Sequence, residues 1–278
     1  MITLHKPAAL LAVILTALAG HAHAHRPWLL PSSTFVDDKE AYITVDGAVS
    51  ELLFDFDHMP LRIDNLKVYG PDGAVRALEN TTIGKRRTTF DLKLAQPGTY
   101  KLALVNAVVM ASYKAGGEEK RWRGTEEALA KEVPANAQDL VVNRSHARVE
   151  TFVTSVKPDF AVFAPTNTGL EMVPVTHPNE LRAGEPVRLR FLIDGKPVAN
   201  LPLSLTPGGV RYRGVINEQR VETDAKGEVA VTLADAGMYM LAASHPAGQS
   251  AKTGQSARAG TPPARRLSYS ATLEVLPQ

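Results

Sequence analysis

Apolar and polar residues alternate with period two through most of this chain, in short runs broken by Gly, Pro, Asn and Asp. Ala41-Tyr42-Ile43-Thr44-Val45, Leu66-Lys67-Val68-Tyr69, Thr89-Phe90-Asp91-Leu92-Lys93-Leu94 and Val187-Arg188-Leu189-Arg190-Phe191-Leu192 are rich in β-branched or aromatic residues. Successive side chains of a strand point to opposite faces, so each run has one dry face and one wet face. The pattern predicts antiparallel sheet packed face to face. One segment departs from it. Thr125 precedes Glu126-Glu127-Ala128-Leu129-Ala130-Lys131-Glu132, with Pro134 just beyond, which predicts a short helix capped by the threonine.

The chain also repeats itself. Thr89 to Ala103 contains Gly98-Thr99-Tyr100 between two strand-like runs, and Glu228 to Ala242 contains Gly237-Met238-Tyr239 in the same setting. A tyrosine beside such a corner packs its ring inward and ties its hydroxyl to nearby backbone, as in Greek-key sandwiches. Asp72-Gly73 and Asp194-Gly195 stand upstream of each copy as hairpin signals. The expected fold is therefore all-β, with two tandem antiparallel β-sandwich domains (Ig-like or transthyretin-like) at 25–156 and 168–278. The boundary falls between Lys157-Pro158 and Thr168, after a strand from Ala147 to Val156. Two stretches interrupt the pattern. The polar segment from Lys114 to about Asn143 reads as a long excursion from the first sandwich, of a length that is either functional or disordered. Pro246 to Arg265, dominated by Ala, Gly, Ser, Lys, Pro and Arg, reads as a mobile hairpin loop.

The first residues bear on where the protein works. Lys6 is followed by an unbroken apolar run from Ala8 to Ala19, too short to span a bilayer of roughly 30 Å. Residues 1–24 read as a cleaved signal peptide, and the mature chain is expected to be periplasmic. Ala22-His23-Ala24 places the cut before His25, and Gly20-His21-Ala22 places it before His23. Either cut leaves a histidine at or beside a new α-amino group, and a free amine beside an imidazole is a ready chelate for a divalent metal. The chain has no cysteine, so it relies on core burial rather than disulfides and cannot carry a lipoprotein anchor. A formal net charge of +2 gives no electrostatic case for nucleic acid, and no second apolar run suggests membrane insertion of the mature chain.

Gly169-Leu170-Glu171-Met172-Val173-Pro174-Val175-Thr176-His177-Pro178 is followed by Ala183-Gly184-Glu185-Pro186-Val187 and Leu192-Ile193-Asp194-Gly195-Lys196-Pro197-Val198. Ala24-His25-Arg26-Pro27-Trp28-Leu29-Leu30-Pro31 stands just after the signal. Thr223-Asp224-Ala225-Lys226-Gly227-Glu228 and Ala236-Gly237-Met238-Tyr239 complete the set. Together these strings resemble a secreted bacterial family of formally unknown function (a DUF), often labelled a periplasmic component of nickel or cobalt uptake. The likeness spans nearly the whole mature chain and is most specific in its second half; 114–143 aligns with no motif. It implies a β-rich periplasmic protein handling nickel or cobalt, with copper the further choice that imidazole ligands allow, a metal ion as ligand and a membrane transporter or outer-membrane receptor as partner. Many relatives carry Gly-His after the N-terminal segment. Here Asp57-His58 stands there, so only the histidine carries over.

The expected metal ligands are His25, His58, Asp57 and His146. His25 and His58 belong to the first sandwich, and His146 opens the strand that closes it, so sheet pairing brings all three toward one end. Asp55 and Asp57 share a strand face by period two. Imidazoles with an amine and a carboxylate suit nickel, copper or zinc. Competing readings are plain ones: Asp55-x-Asp57 is a solvated strand edge or caps a loop, His146 is a surface residue, His177 before Pro178 shapes the interdomain turn, and His245 has no role. Lys120-Arg121-Trp122-Arg123 resembles an anion patch, blunted by Glu118 and Glu119. The sequence holds no Gly-x-Ser-x-Gly elbow, no His-Glu-x-x-His and no phosphate loop, so no catalytic residues are expected. The alternatives to a metal-binding accessory are an envelope module for a protein or glycan and, more remotely, a histidine-brace copper oxygenase.

Overall fold

A computed structural model describes residues 25–38, 41–246 and 265–278. The expected signal peptide, 1–24, lies outside the described residues, as does nearly all of the expected loop from Pro246 to Arg265. The first half runs β1 (Arg26–Pro31), β2 (Phe35–Val36), β3 (Ala41–Ser50), β4 (Met59–Pro60), β5 (Leu66–Tyr69) and β6 (Val75–Arg76). It continues through β7 (Glu79–Ile83), β8 (Thr88–Leu94), β9 (Gly98–Ala115), β10 (Glu118–Gly124), α1 (Glu126–Glu132) and β11 (Gln138–Ser155). The second half holds β12 (Leu170–Pro174), β13 (Pro186–Ile193), β14 (Lys196–Pro197), β15 (Pro202–Pro207) and the single turn α2 (Val210–Arg213). It closes with β16 (Gln219–Glu222), β17 (Glu228–Thr232), β18 (Gly237–His245) and β19 (Arg265–Val275).

These strands make two sandwiches that share one sheet. A five-stranded sheet, β1-β3-β8-β7 with β4 on β3, covers the first half, and a four-stranded sheet, β12-β13-β14 with β17 on β13, covers the second. Between them a ten-stranded sheet runs in the order β16-β15-β18-β19-β11-β9-β5-β6, with β10 on β9 and β2 on β11. Its two halves meet at β11 and β19, which pair in parallel from Arg144↔Arg265 to Thr151↔Thr272. The alternation along β11 shows how one strand serves both cores. Val149 and Val153 enter the core with Phe90 and Leu92, whereas Phe152 enters the core with Phe191 and Tyr269.

The corners form as the repeat implies. Tyr100 and Tyr239 are buried, and their hydroxyls donate to the backbone oxygens of Gln96 and Asp235, each at 2.9 Å. The Tyr100 hydroxyl also accepts from the Gln96 N–H at 3.0 Å. At Asp194-Gly195 both residues have positive φ (50° and 78°), the twist a two-residue hairpin needs. Thr125 caps α1, its hydroxyl accepting from Ala128 N–H at 3.3 Å.

One expectation is narrowed and one corrected. The excursion from Lys114 to Asn143 is an ordered arm: β9 and β11 are 18 residues each, the far end of β9 pairs with β11 on one edge and β10 on the other, and α1 connects β10 to β11. Its polarity reflects two solvated faces, since α1 has no buried residue. The closing strand accordingly starts at Gln138, so His146 lies within β11 rather than at its opening.

Candidate functional site

His25 immediately precedes β1, and His58 immediately precedes β4. Both short strands flank the end of β3, through Arg26↔Ser50 on one side and Val49↔Met59 on the other. The two imidazoles meet there, stacked at 3.7 Å between centroids with 4° between planes. Nε2 of His25 lies 3.5 Å from Oε1 of Glu51, both side chains being about half exposed. The platform below is rigid. Trp28 is fully buried, donates from Nε1 to Ser50 Oγ at 2.8 Å, and packs against Phe54 and Phe56 at 5.5 Å each. Leu53, Ala48 and Met240 complete this small apolar cluster, which ties the loop after β3 to the shared sheet.

Asp57 serves that loop. Its carboxylate oxygens accept from the N–H groups of Glu51 (3.1 Å) and Leu52 (2.9 Å), so both are already engaged. Residues 51–58 are a loop and not a strand, with Phe54 at φ 65°. The period-two argument placing Asp55 and Asp57 on one strand face is therefore corrected. Glu51, which the sequence reading passed over, is the carboxylate that reaches His25; nothing in its local pattern distinguishes it from a solvated loop residue.

His146 is not brought to His25 and His58. It is buried on β11 and seated against Gly169, where a Cβ would stand 2.3 Å from its Nδ1. Gly169 has φ 74°, so glycine is needed twice over, for its backbone and for the ring above it. Nδ1 of His146 is buried without a hydrogen-bond partner, and burial holds the imidazole's pKa below the ordinary 6.5, reinforced by the charges of Arg148 and Arg265. Among the described residues no three His, Cys, Asp or Glu side chains form a ready coordination sphere.

A second polar cluster lies beside His146, and sequence reasoning missed it. Arg148, Glu150 and Glu171 are each no more than 4% exposed. The Arg148 guanidinium lies 3.2 Å from both Glu150 Oε1 and Glu171 Oε1, and donates to Thr166 Oγ1 and Thr168 O at 3.1 Å. Glu171 accepts from Thr166 N–H (3.0 Å) and Oγ1 (2.6 Å) and from Thr168 N–H (3.3 Å). Tyr269 donates to Glu150 Oε2 at 2.8 Å, and burial next to that carboxylate raises the phenol well above its usual range, so it stays a donor. β11, β12 and β19 each contribute, which makes the cluster a joint between the sandwiches. The available signal was Arg148-x-Glu150-x-Phe152, a charged pair sharing a face with a core phenylalanine.

His177 anchors the other end of the joint. It is 2% exposed, its Nδ1 accepts from Asn179 N–H at 3.2 Å, and its Nε2 lies 3.0 Å from both Thr99 Oγ1 and Asp159 O. An accepting Nδ1 places the neutral ring's proton on Nε2, which donates toward Asp159 O. Burial lowers this imidazole's pKa as well. The expected structural role at the interdomain turn fits these contacts. His245, at the end of β18, is exposed and makes none of these contacts.

The architecture defines an all-β protein of two sandwiches on a common sheet, with an open histidine pair at the start of its first strand. The chain belongs to the family described as "Domain of unknown function (DUF4198)", which matches residues 22–247. No curated protein matches it. Among solved structures it is similar to the "D0-D1 domain of Intimin", at 13% identity over 89% of this chain and 97% of that one, with a TM-score of 0.21. It is likewise similar to the "Human OSCAR ligand-binding domain", at 14% identity over 91% and 100%, with a TM-score of 0.22. Among the described residues no helix is long and apolar enough to cross a membrane.

Proposed function

We propose that the secreted chain is a non-catalytic, periplasmic metal-binding accessory protein for nickel, cobalt or copper handling. Its ligands are the imidazoles of His25 and His58 and the α-amino group that signal cleavage creates at His25. The observation that supports this reading is the contact between these two histidines at 3.7 Å, on strands that meet only through β3. Glu51 favours a particular tautomer. A carboxylate beside Nε2 keeps the proton there, leaving Nδ1 and the amine of the same residue to close a chelate ring. Parallel rings direct their lone pairs into parallel planes, so coordination requires one ring to swing about its side-chain torsions. His25, 44% exposed, is free to do so.

The test is calorimetric titration of nickel, cobalt and copper into protein purified from the periplasm with its processed terminus. His25→Ala, His58→Ala and an added N-terminal Met should each weaken binding by about tenfold or more, a loss of about 1.4 kcal/mol at least. His245→Ala should leave it unchanged. Equal affinity across the set overturns the metal reading and leaves an envelope module for a protein or glycan partner in its place.

A further inference from the structure

One face of the shared sheet is left partly open beside the Trp28 cluster that covers Met240. Leu203, Leu241 and Tyr269 point into the second core, so their alternate neighbours on β15, β18 and β19 point the other way. There, beneath the start of β1, lies a trough of about 1090 Å³. It crosses five strands from β16 to β11, roughly 19 Å at the usual strand spacing. Its floor is made of small residues, among them Ser145, Ala147, Ser268 and Ser270, and His25 and Arg26 stand on its rim.

Two guanidinium groups there are uncommitted. Among the described residues the side chain of neither Arg26 nor Arg266 has an ion pair or a hydrogen bond, and Nε of Arg266 is shut away from solvent without an acceptor. The acidic residues of the trough sit at its far edge: Glu218 is paired to Arg220 at 2.8 Å, and Glu222 ends β16. The end nearest His25 is therefore positive and rich in hydroxyl donors. A bare cation needs only its ligand atoms, whereas a space of this size matches an organic molecule.

We propose that the trough binds a polycarboxylate metal chelate, the carboxylates held by Arg26, Arg266 and the serine hydroxyls, with the metal presented to His25. This rests on the metal reading above and names the form in which the metal arrives. The arginine fork matches a carboxylate bidentately, and a chelator that leaves coordination positions open hands the imidazoles a place to bind.

The test titrates the processed, secreted protein with nickel chloride, nickel–citrate, citrate alone and inorganic phosphate, with thermal unfolding of each variant as a check on folding. Nickel–citrate should bind more tightly than citrate alone by about tenfold or more. The double variant Arg26→Gln/Arg266→Gln should weaken both citrate species by about tenfold or more while holding nickel chloride within about twofold. His58→Ala should do the reverse, weakening both nickel species and sparing citrate alone. Citrate that fails to bind, is matched by phosphate, or ignores the arginine substitutions overturns the trough proposal, whatever nickel chloride does. Citrate that still depends on the arginines, beside nickel binding indifferent to His58, overturns the metal reading and with it the chelate.

Discussion

The histidine pair and the Arg148 cluster both bring ionisable groups together from separate strands, yet they leave them in opposite conditions. His25 and Glu51 are about half exposed, and the imidazoles touch only by stacking. Arg148, Glu150 and Glu171 are almost wholly buried, and the cluster engages their oxygens and most of the guanidinium. Desolvating charges is expensive, so a buried set persists only when its members satisfy one another, and a satisfied set has no lone pairs to offer a ligand. Open groups keep that capacity and contribute little to stability. The buried cluster specifies how two sandwiches join. The open pair is where chemistry with an outside partner can happen.

The largest test of this contrast removes the buried cation. Arg148→Ala leaves two buried carboxylates facing each other, and should cost about 3–5 kcal/mol in urea unfolding. A cost below about 1 kcal/mol would mean the cluster is hydrated and the joint looser than its burial implies. The tyrosine corners supply a scale between the extremes. Tyr100→Phe and Tyr239→Phe should each cost about 0.5–1.5 kcal/mol, with Tyr100 the larger because its hydroxyl both donates to and accepts from Gln96. Unchanged midpoints in both would remove the hydroxyls from the account of the corners.

The smallest effect is one of pH. Burial holds His146 and His177 below 6.5, so as pH falls the unfolded chain takes up protons before the native one does. Stability should therefore decline as pH drops through about 6.5, levelling off once the native imidazoles protonate as well. His146 faces Arg148, Arg265, Asp194 and Glu171, and His146→Leu should flatten part of the decline, leaving the share of His177. Unfolding curves collected between about pH 7.5 and 5.0 would show it. An unaltered slope in the variant would mean that His146 takes up its proton alike in the native and unfolded states.

Much of the fold was legible because local pattern and tertiary use agree. Leu66–Tyr69 is a strand at the residues the alternation picks out, and Thr88–Leu94 and Pro186–Ile193 differ from expectation by a residue or two at their ends. The pairing of His25 with His58 was legible for a different reason: both stand at the ends of strands that flank a single neighbour. Arg148 and Glu150 were not, because a charged residue at every second position reads as a wet face. Here that face is covered by a second sandwich that no local window can reveal. Asp57 failed through its turn, since a loop that folds back within a few residues cancels the period-two argument.

The parallel pairing of β11 with β19 also sets an order of events. β19 is the last strand of the chain, yet it lies between β18 and β11 at the centre of the widest sheet. The first core, around Phe90 and Val153, takes nothing from β19, but Glu150 has its Tyr269 donor only when β19 is paired. A contact bridging 119 residues is slow to find and is won only at the end. The second core takes Leu267, Tyr269, Ala271, Leu273 and Val275 from this eleven-residue strand, Arg265–Val275, so that arch stands only when the strand that joins it to the other is in place.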